Sequence, residues 1–282
     1  MKIALAGAYG KLGREILKEL INNNYEVLAL DKVELDLDGI EKSKFEFKSI
    51  DVTNKESLNN ILEGCDVIIS TVGLTTSSAK VTNYDIDYHG NLNLLNEAIK
   101  SNVKHFAYIS VINADKGEGI PMVESKYMFE NELKKSNINY VIYRPTGYFY
   151  DIVKVFKPMV EKGKVSLLGK NNYKANVVHT IDFAKFIVST MLEENKLYNV
   201  GGKETYTYEE IAKLCFETAN KKAVIKRAPT WIFDILAKLP KNKKNGKWAV
   251  IKFSKFTLSQ DLVGDTIVGD SSFKEFIKES YK

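Results

Sequence analysis

Gly7-Ala8-Tyr9-Gly10-Lys11-Leu12-Gly13 places three glycines at three-residue spacing, directly after the apolar run Ile3 to Ala6. Glycines in such a turn let the backbone fold tightly, approach an anionic group and pack a helix against a strand. A helix opening there offers free N–H groups and the positive end of its dipole, which suits a pyrophosphate. Strand, glycine turn and helix together predict a dinucleotide cradle built from Gly7, Tyr9, Gly10, Lys11, Leu12 and Gly13. Asp31 closes the second apolar run. An acidic side chain at that point accepts hydrogen bonds from both adenine-ribose hydroxyls and repels a 2′-phosphate, so NAD is expected ahead of NADP. Lys32 and Arg14 lie close enough in sequence to offset part of that repulsion. Asp51 and Val52, after the third run, fall where the adenine ring would lie, although an ordinary turn Asp fits the same position.

These residues need a scaffold, and the pattern supplies one. Ile3 to Ala6, Glu26 to Leu30, Phe45 to Ile50, Val67 to Thr71, His105 to Ser110 and Tyr140 to Tyr143 read as strands. Helical spacing fills most of the gaps, as in Leu12, Ile16, Leu20 and in Leu92, Leu95, Ile99. That alternation predicts an α/β fold, a doubly wound parallel Rossmann sheet covered on both faces. After Pro145 the rhythm loosens into short strands at Lys164 to Leu168, Ala175 to Val178 and Leu197 to Val200, with helices at Asp182 to Leu192 and Thr207 to Asn220. Thr207 and Glu210 have the spacing of a capping box. The expected division is a dinucleotide-binding core over residues 1–150, to which 180–202 return. A smaller mixed C-terminal lobe takes 151–179 and 203–282 and covers the C-terminal ends of the strands.

Composition limits the function classes. The chain has 282 residues, 27% charged and 44% hydrophobic, with a net charge of +5. It is long enough to bury a core without staples, and its small charge excess does not suggest a nucleic-acid partner. Two distant cysteines and three scattered histidines lack metal-ligand spacing, so no metal is expected. No leader or integral membrane segment is evident, which points to a cytoplasmic location. The lysines at 238, 241, 243, 244 and 247 form a basic loop, read first as a solvated turn and otherwise as a contact for an anion or a membrane surface. Trp231, Ile232, Ile235, Leu236 and Leu239 before it fall at helical spacing. They are expected to form the core of the smaller lobe, the alternatives being a lid or a surface anchor.

Further stretches carry a resemblance. They are Asp87 to Leu94, Phe106 to Ser110, Ser125-Lys126, Arg144 to Phe149, His179 to Ala184 and Tyr198 to Gly202. With the glycine turn, they resemble the atypical and extended short-chain dehydrogenase/reductases, in the NmrA-like branch. The tail, with Phe273-Lys274-Glu275-Phe276, is more loosely similar to divinyl-chlorophyllide-reductase-type members. The resemblance implies a Rossmann fold, a nicotinamide dinucleotide and a substrate pocket under the C-terminal lobe. It assigns Thr71, Val72, Gly73 and Pro145 to the nicotinamide side, Lys126 to the nicotinamide ribose, and Ser110 and Tyr148 to substrate contact or proton supply.

One position departs from the family. Active members carry a Tyr four residues before the Lys, where the ammonium helps lower the phenol's pKa toward neutrality. Here that position is Met122, which cannot transfer a proton. The Tyr150–Lys154 pair has the same spacing but lies one strand too late. Two function classes follow. One is an oxidoreductase moving hydride between nicotinamide and an unidentified small molecule, with proton supply by Ser110, Tyr148, water or the substrate. The other is a non-catalytic dinucleotide-sensing regulator or scaffold. The partner expected is a small molecule, and a homo-oligomer is left open.

Overall fold

The fold is given by a computed structural model that describes residues 1–36, 39–75, 78, 80–240 and 246–282. Lysines 241, 243 and 244 of the basic loop lie outside the described residues. Runs such as Val67-Ile68-Ile69 are apolar on both faces and are fully buried, so they belong inside a covered sheet. The strands are β1 (Lys2–Ala6), β2 (Glu26–Asp31), β3 (Glu46–Ser49), β4 (Val67–Ser70), β5 (His105–Ile109), β6 (Asn139–Pro145), β7 (Val165–Leu168), β8 (Lys174–Ala175), β9 (Lys196–Gly201), β10 (Tyr206–Thr207), β11 (Ile225–Ala228) and β12 (Thr266–Ile267). Eight of them pair in parallel in the order β12-β9-β6-β5-β4-β1-β2-β3. Strand order reverses between β1 and β4, and there the loops part to leave a crevice at the strand ends. Residues 266–267, in the stretch assigned by sequence to the smaller lobe, return as the eighth strand.

The helices are α1 (Lys11–Asn22), α2 (Asn91–Lys100), α3 (Pro121–Lys135), α4 (Phe149–Glu161), α5 (Thr180–Thr190), α6 (Tyr208–Thr218), α7 (Trp231–Lys238), α8 (Lys247–Leu258) and α9 (Phe273–Ser280). Ile16 and Leu20 of α1 and Phe183 and Ile187 of α5 cover one sheet face. Leu94 and Ala98 of α2 and Phe129 and Leu133 of α3 cover the other. A third core joins α4, α6, α9, β7 and β8 in the smaller lobe, around Phe156, Phe216 and Phe273. The capping box at Thr207 and Glu210 is formed in both directions. His179, a structural residue on sequence grounds, caps α5 by accepting the Ile181 N–H at Nδ1.

The apolar stripe of α7 does not form the core of the smaller lobe. Trp231 is 57%, Ile235 53% and Leu239 43% exposed. The helix packs on α8, where Ala237 and Ala249 are buried, and Asp234 bridges to Lys255 at 2.7 Å. Spacing of 3.6 residues separates faces of a helix but does not say which face is covered.

Helix α3 is tied to the sheet by a buried ion pair. Glu130, fully buried, accepts Arg144 Nη2 at 2.7 Å, Arg144 Nε at 2.9 Å and Ser110 Oγ at 2.6 Å. Removing Glu130 leaves the buried Arg144 only the half-exposed Asp115, at 2.9 Å, and losing the buried partner of such a pair costs about 3–5 kcal/mol. Glu130→Ala is therefore expected to lower stability to urea by about that amount. Glu130→Leu combined with Arg144→Met is expected to recover most of it. A loss under about 1 kcal/mol in Glu130→Ala would show that the pair does not anchor α3.

Candidate functional site

The glycine turn is shaped by how closely β1 and β4 approach. Gly7 has φ +80°, and a Cβ there would sit 2.4 Å from Thr71 Oγ1, so no larger residue fits. Gly10 differs. Its backbone is extended, at φ −65° and ψ 161°, and a Cβ would meet only Gly7 O at 3.3 Å. Packing within the protein tolerates a small side chain at Gly10, whereas a ligand lying on the turn would not. The opening amides of α1 lack intrahelical acceptors, and the first turn holds no acidic residue. Both features fit a phosphate.

A cleft of about 460 Å³ runs from this turn across the ends of β1, β2, β3 and β4. It brings together Gly7, Tyr9, Gly10, Asp31, Lys32, Asp51, Val52, Thr71, Val72 and Gly73, as expected from sequence. Leu30, Val33, Leu35, Ile50, Leu74 and Ile86, not anticipated, complete the lining. Asp31 Oδ2 accepts the Tyr9 N–H at 2.9 Å and Oδ1 the Lys32 N–H at 2.7 Å, pinning the glycine turn to β2. Each oxygen keeps a lone pair for a further donor. The Lys32 ammonium is 2.7 Å from Asp51 Oδ2, and together with two hydrogen bonds from Thr53 it holds the Asp51 carboxyl down at about 2.

The other end of the cleft rests on a π-helical turn, Tyr84–Gly90. Asp87, on this turn, is fully buried. Its Oδ2 accepts Leu74 N and Asn83 Nδ2, each at 3.1 Å, and its Oδ1 lies 3.1 Å from Lys126 Nζ. The ammonium also donates to Ile109 O at 3.3 Å. An ammonium has three donors, so at least one is left over beside this ion pair and hydrogen bond. A Cβ on Gly73 would lie 2.9 Å from both Asp87 Oδ1 and Lys126 Nζ, so Gly73 is what lets this pair adjoin the cleft. Asn91 fixes the same loop, donating to Val72 O and Asp87 O while accepting Ser70 Oγ.

The remaining expected residues lie outside the lining of the cleft. Lys11 turns its ammonium over the Tyr150 ring, 3.9 Å from the centroid. Leu12 is in the core of the sheet, and a Cβ on Gly13 would be 2.1 Å from Gly7 O. Pro145 is buried at the end of β6. Ser110 spends its hydroxyl proton on Glu130. Tyr148 stacks on Tyr150 at 5.4 Å, and burial pushes its phenol well above 10. Met122 is buried one helical turn from Lys126. Sequence reasoning missed Asp87 as a site residue. Its signal was the Asp87-Tyr88-His89-Gly90-Asn91 stretch, read only as part of a resemblance.

A family model described as NAD(P)H-binding matches residues 7–194. The photosystem II assembly factor Ycf39 of Trieres chinensis is 26% identical over 242 residues, covering 85% of this chain and 76% of that protein. The chloroplastic divinyl chlorophyllide a 8-vinyl-reductase of Arabidopsis thaliana is 27% identical over 267 residues, covering 84% of this chain and 62% of that one. Among solved structures, the triphenylmethane reductase of Citrobacter sp. superposes with a TM-score of 0.76 at 20% identity, covering 100% of this chain and 99% of that chain.

Two measurements check the site. Gly10→Val places a branched side chain on the turn without demanding a new backbone conformation. Dinucleotide binding is expected to vanish while circular dichroism stays that of the wild type. Normal binding by the folded variant would remove the cradle assignment. For the Lys32–Asp51 bridge, a depressed folded-state carboxyl means its contribution is complete above the free carboxylate range, near 4, and fades as pH falls toward 2. The NMR titration of Asp51 is expected to have its midpoint near 2 and to move up toward 3.8 in Lys32→Ala. An unchanged midpoint in the variant would rule out Lys32 as the cause.

Proposed function

Given that the chain belongs to the NAD(P)H-binding family over residues 7–194, we propose that it is an oxidoreductase using NAD(H). Its substrate class would be small conjugated acceptors, such as quinones or activated double bonds. The observation that carries this reading is the Asp87–Lys126 pair beside Gly73, at the end of the cleft away from Asp31. When bound, the dinucleotide supplies the hydride. The amides opening α1 hold its pyrophosphate, Asp31 accepts the adenine-ribose hydroxyls, and Asp51 and Val52 border the adenine. The spare donor of Lys126 holds the nicotinamide ribose, with Thr71, Val72 and Gly73 around the ring. Such positioning provides much of the rate in cofactor chemistry.

The preference for NAD follows from charge. Asp31 lines the cleft and would face a 2′-phosphate, while Lys32, its nearest cation in sequence, is held by Asp51. The substrate class follows from the lack of a poised acid. Met122 replaces the phenol, Ser110 Oγ already donates to Glu130, and the raised Tyr148 makes a weak acid. An acceptor whose reduced anion is stabilised by conjugation can take its proton from water, whereas a simple ketone needs an acid in step with the hydride.

Met122 also favours a second reading, a dinucleotide-sensing scaffold without catalysis. The two relatives carry both kinds of name, an assembly factor and a reductase.

A panel of quinones, enones and simple ketones, followed by NADH absorbance, separates these readings. Turnover is expected with the conjugated acceptors and not with the ketones, and Met122→Tyr is expected to add weak ketone reduction. Tight NADH binding with no turnover on any acceptor would favour the scaffold. In parallel titrations NADH is expected to bind more tightly than NADPH, with the gap closing or reversing in Asp31→Arg. Tighter NADPH binding by the unmutated protein would contradict the role given to Asp31.

A further inference from the structure

The exposed face of α7 has no part in the dinucleotide site. Trp231, Ile235 and Leu239 succeed one another at i, i+4 and i+8, so they form one stripe along the helix. None of the three lines the cleft. Large apolar side chains so aligned on a surface mark a contact with something that is not water.

Charge identifies the contact. From 231 to 260 the chain carries seven lysines against one aspartate, enough to account for the whole net charge of +5. That one aspartate, Asp234, is already paired with Lys255. Lys238 is exposed three residues after Ile235, at the border of the stripe. A second copy of the chain is a poor occupant, because a two-fold contact through α7 would bring two such lysine-rich segments together. A short helix with Trp and aliphatic residues on one side and lysines around it instead matches the pattern of an interfacial anchor. No helix among the described residues is long and apolar enough to cross a membrane, so any attachment through α7 would be to the surface.

We propose that α7 and the lysines around it dock the protein on an anionic phospholipid surface. Trp231, Ile235 and Leu239 enter the boundary between headgroups and acyl chains. The lysines gather over the phosphates, their alkyl stems lying along the apolar face. Lys252 of α8 donates to Gly119 O at 2.8 Å, just before α3. The anchor is thereby linked to the helix that carries Lys126, and docking would hold the site close to the lipid.

The test is co-sedimentation of the full-length protein with phosphatidylcholine vesicles, with and without phosphatidylglycerol. Binding is expected to need the anionic lipid and to weaken as salt rises. Lys238→Glu and Lys247→Glu are each expected to reduce it by about fivefold or more at low salt. Trp231→Ser with Ile235→Ser is expected to reduce it by about tenfold or more. Unchanged circular dichroism and NADH binding would show that these variants remain folded. The chain has two tryptophans, so Trp248→Phe leaves Trp231 as the only reporter. Its emission is expected to shift to the blue on anionic vesicles and to be quenched by brominated lipid. Failure to pellet with anionic vesicles at low salt would overturn the proposal. So would equal binding to neutral vesicles by the wild type and the lysine variants, or a dimer in solution that Ile235→Ser dissolves.

Discussion

A carboxylate sealed from water must be paired, and the geometry of the site follows from how Asp87 meets that demand. It takes an N–H from Leu74, an amide from Asn83 and the ammonium of Lys126. Those partners come from the loop after β4, from the residue that opens the π-helical turn and from α3, the last of them distant in sequence. A buried charge without them would cost several kcal/mol, so the three elements are held in one arrangement. Lys126 is thereby aimed at Gly73, whose missing side chain opens the pair to the cleft. The π-helical turn is part of the same solution, since it sets Asp87 and Asn91 toward the loop between Thr71 and Leu74. Turns of this kind recur where a side chain has to be re-aimed.

What could be read from the sequence was local. The glycine turn, Asp31, the parallel alternation and the capping box at Thr207 each depend on residues within one turn or one strand–helix unit; the alternation and the capping box are present in the fold, and the turn and Asp31 both line the cleft. Asp87 was legible only as a motif letter, because its role depends on residues 74 and 126 coming together. Ser110 shows the same limit. Its position at the end of β5 was visible, but the direction of its hydroxyl depends on Glu130, 20 residues on in α3. The stripe on α7 was read with the right period and given the wrong environment. A helical period fixes which residues share a face, whereas burial depends on what the rest of the chain brings to it.

The C-terminal segment returns to the sheet and to the loops beside it. β12 extends the sheet edge beside β9, and Asn176 holds Gly264 in both directions, donating to its carbonyl and accepting its N–H. Asn113, after β5, donates to Gln260 Oε1 and Asp261 O. Residues 260 and 261 therefore share hydrogen bonds with Asn113 at the strand ends, where an open α/β sheet binds its ligands.

The role of Lys126 is tested most directly by comparing two ligands on one variant. ADP shares the adenine half of the dinucleotide and lacks the nicotinamide riboside. By isothermal titration, Lys126→Ala is expected to lose about 1.5–3 kcal/mol of NADH binding, the worth of a hydrogen bond to a charged group, and to bind ADP as the wild type does. Equal losses for both ligands, or none for NADH, would contradict the placement of the Asp87–Lys126 pair at the nicotinamide end.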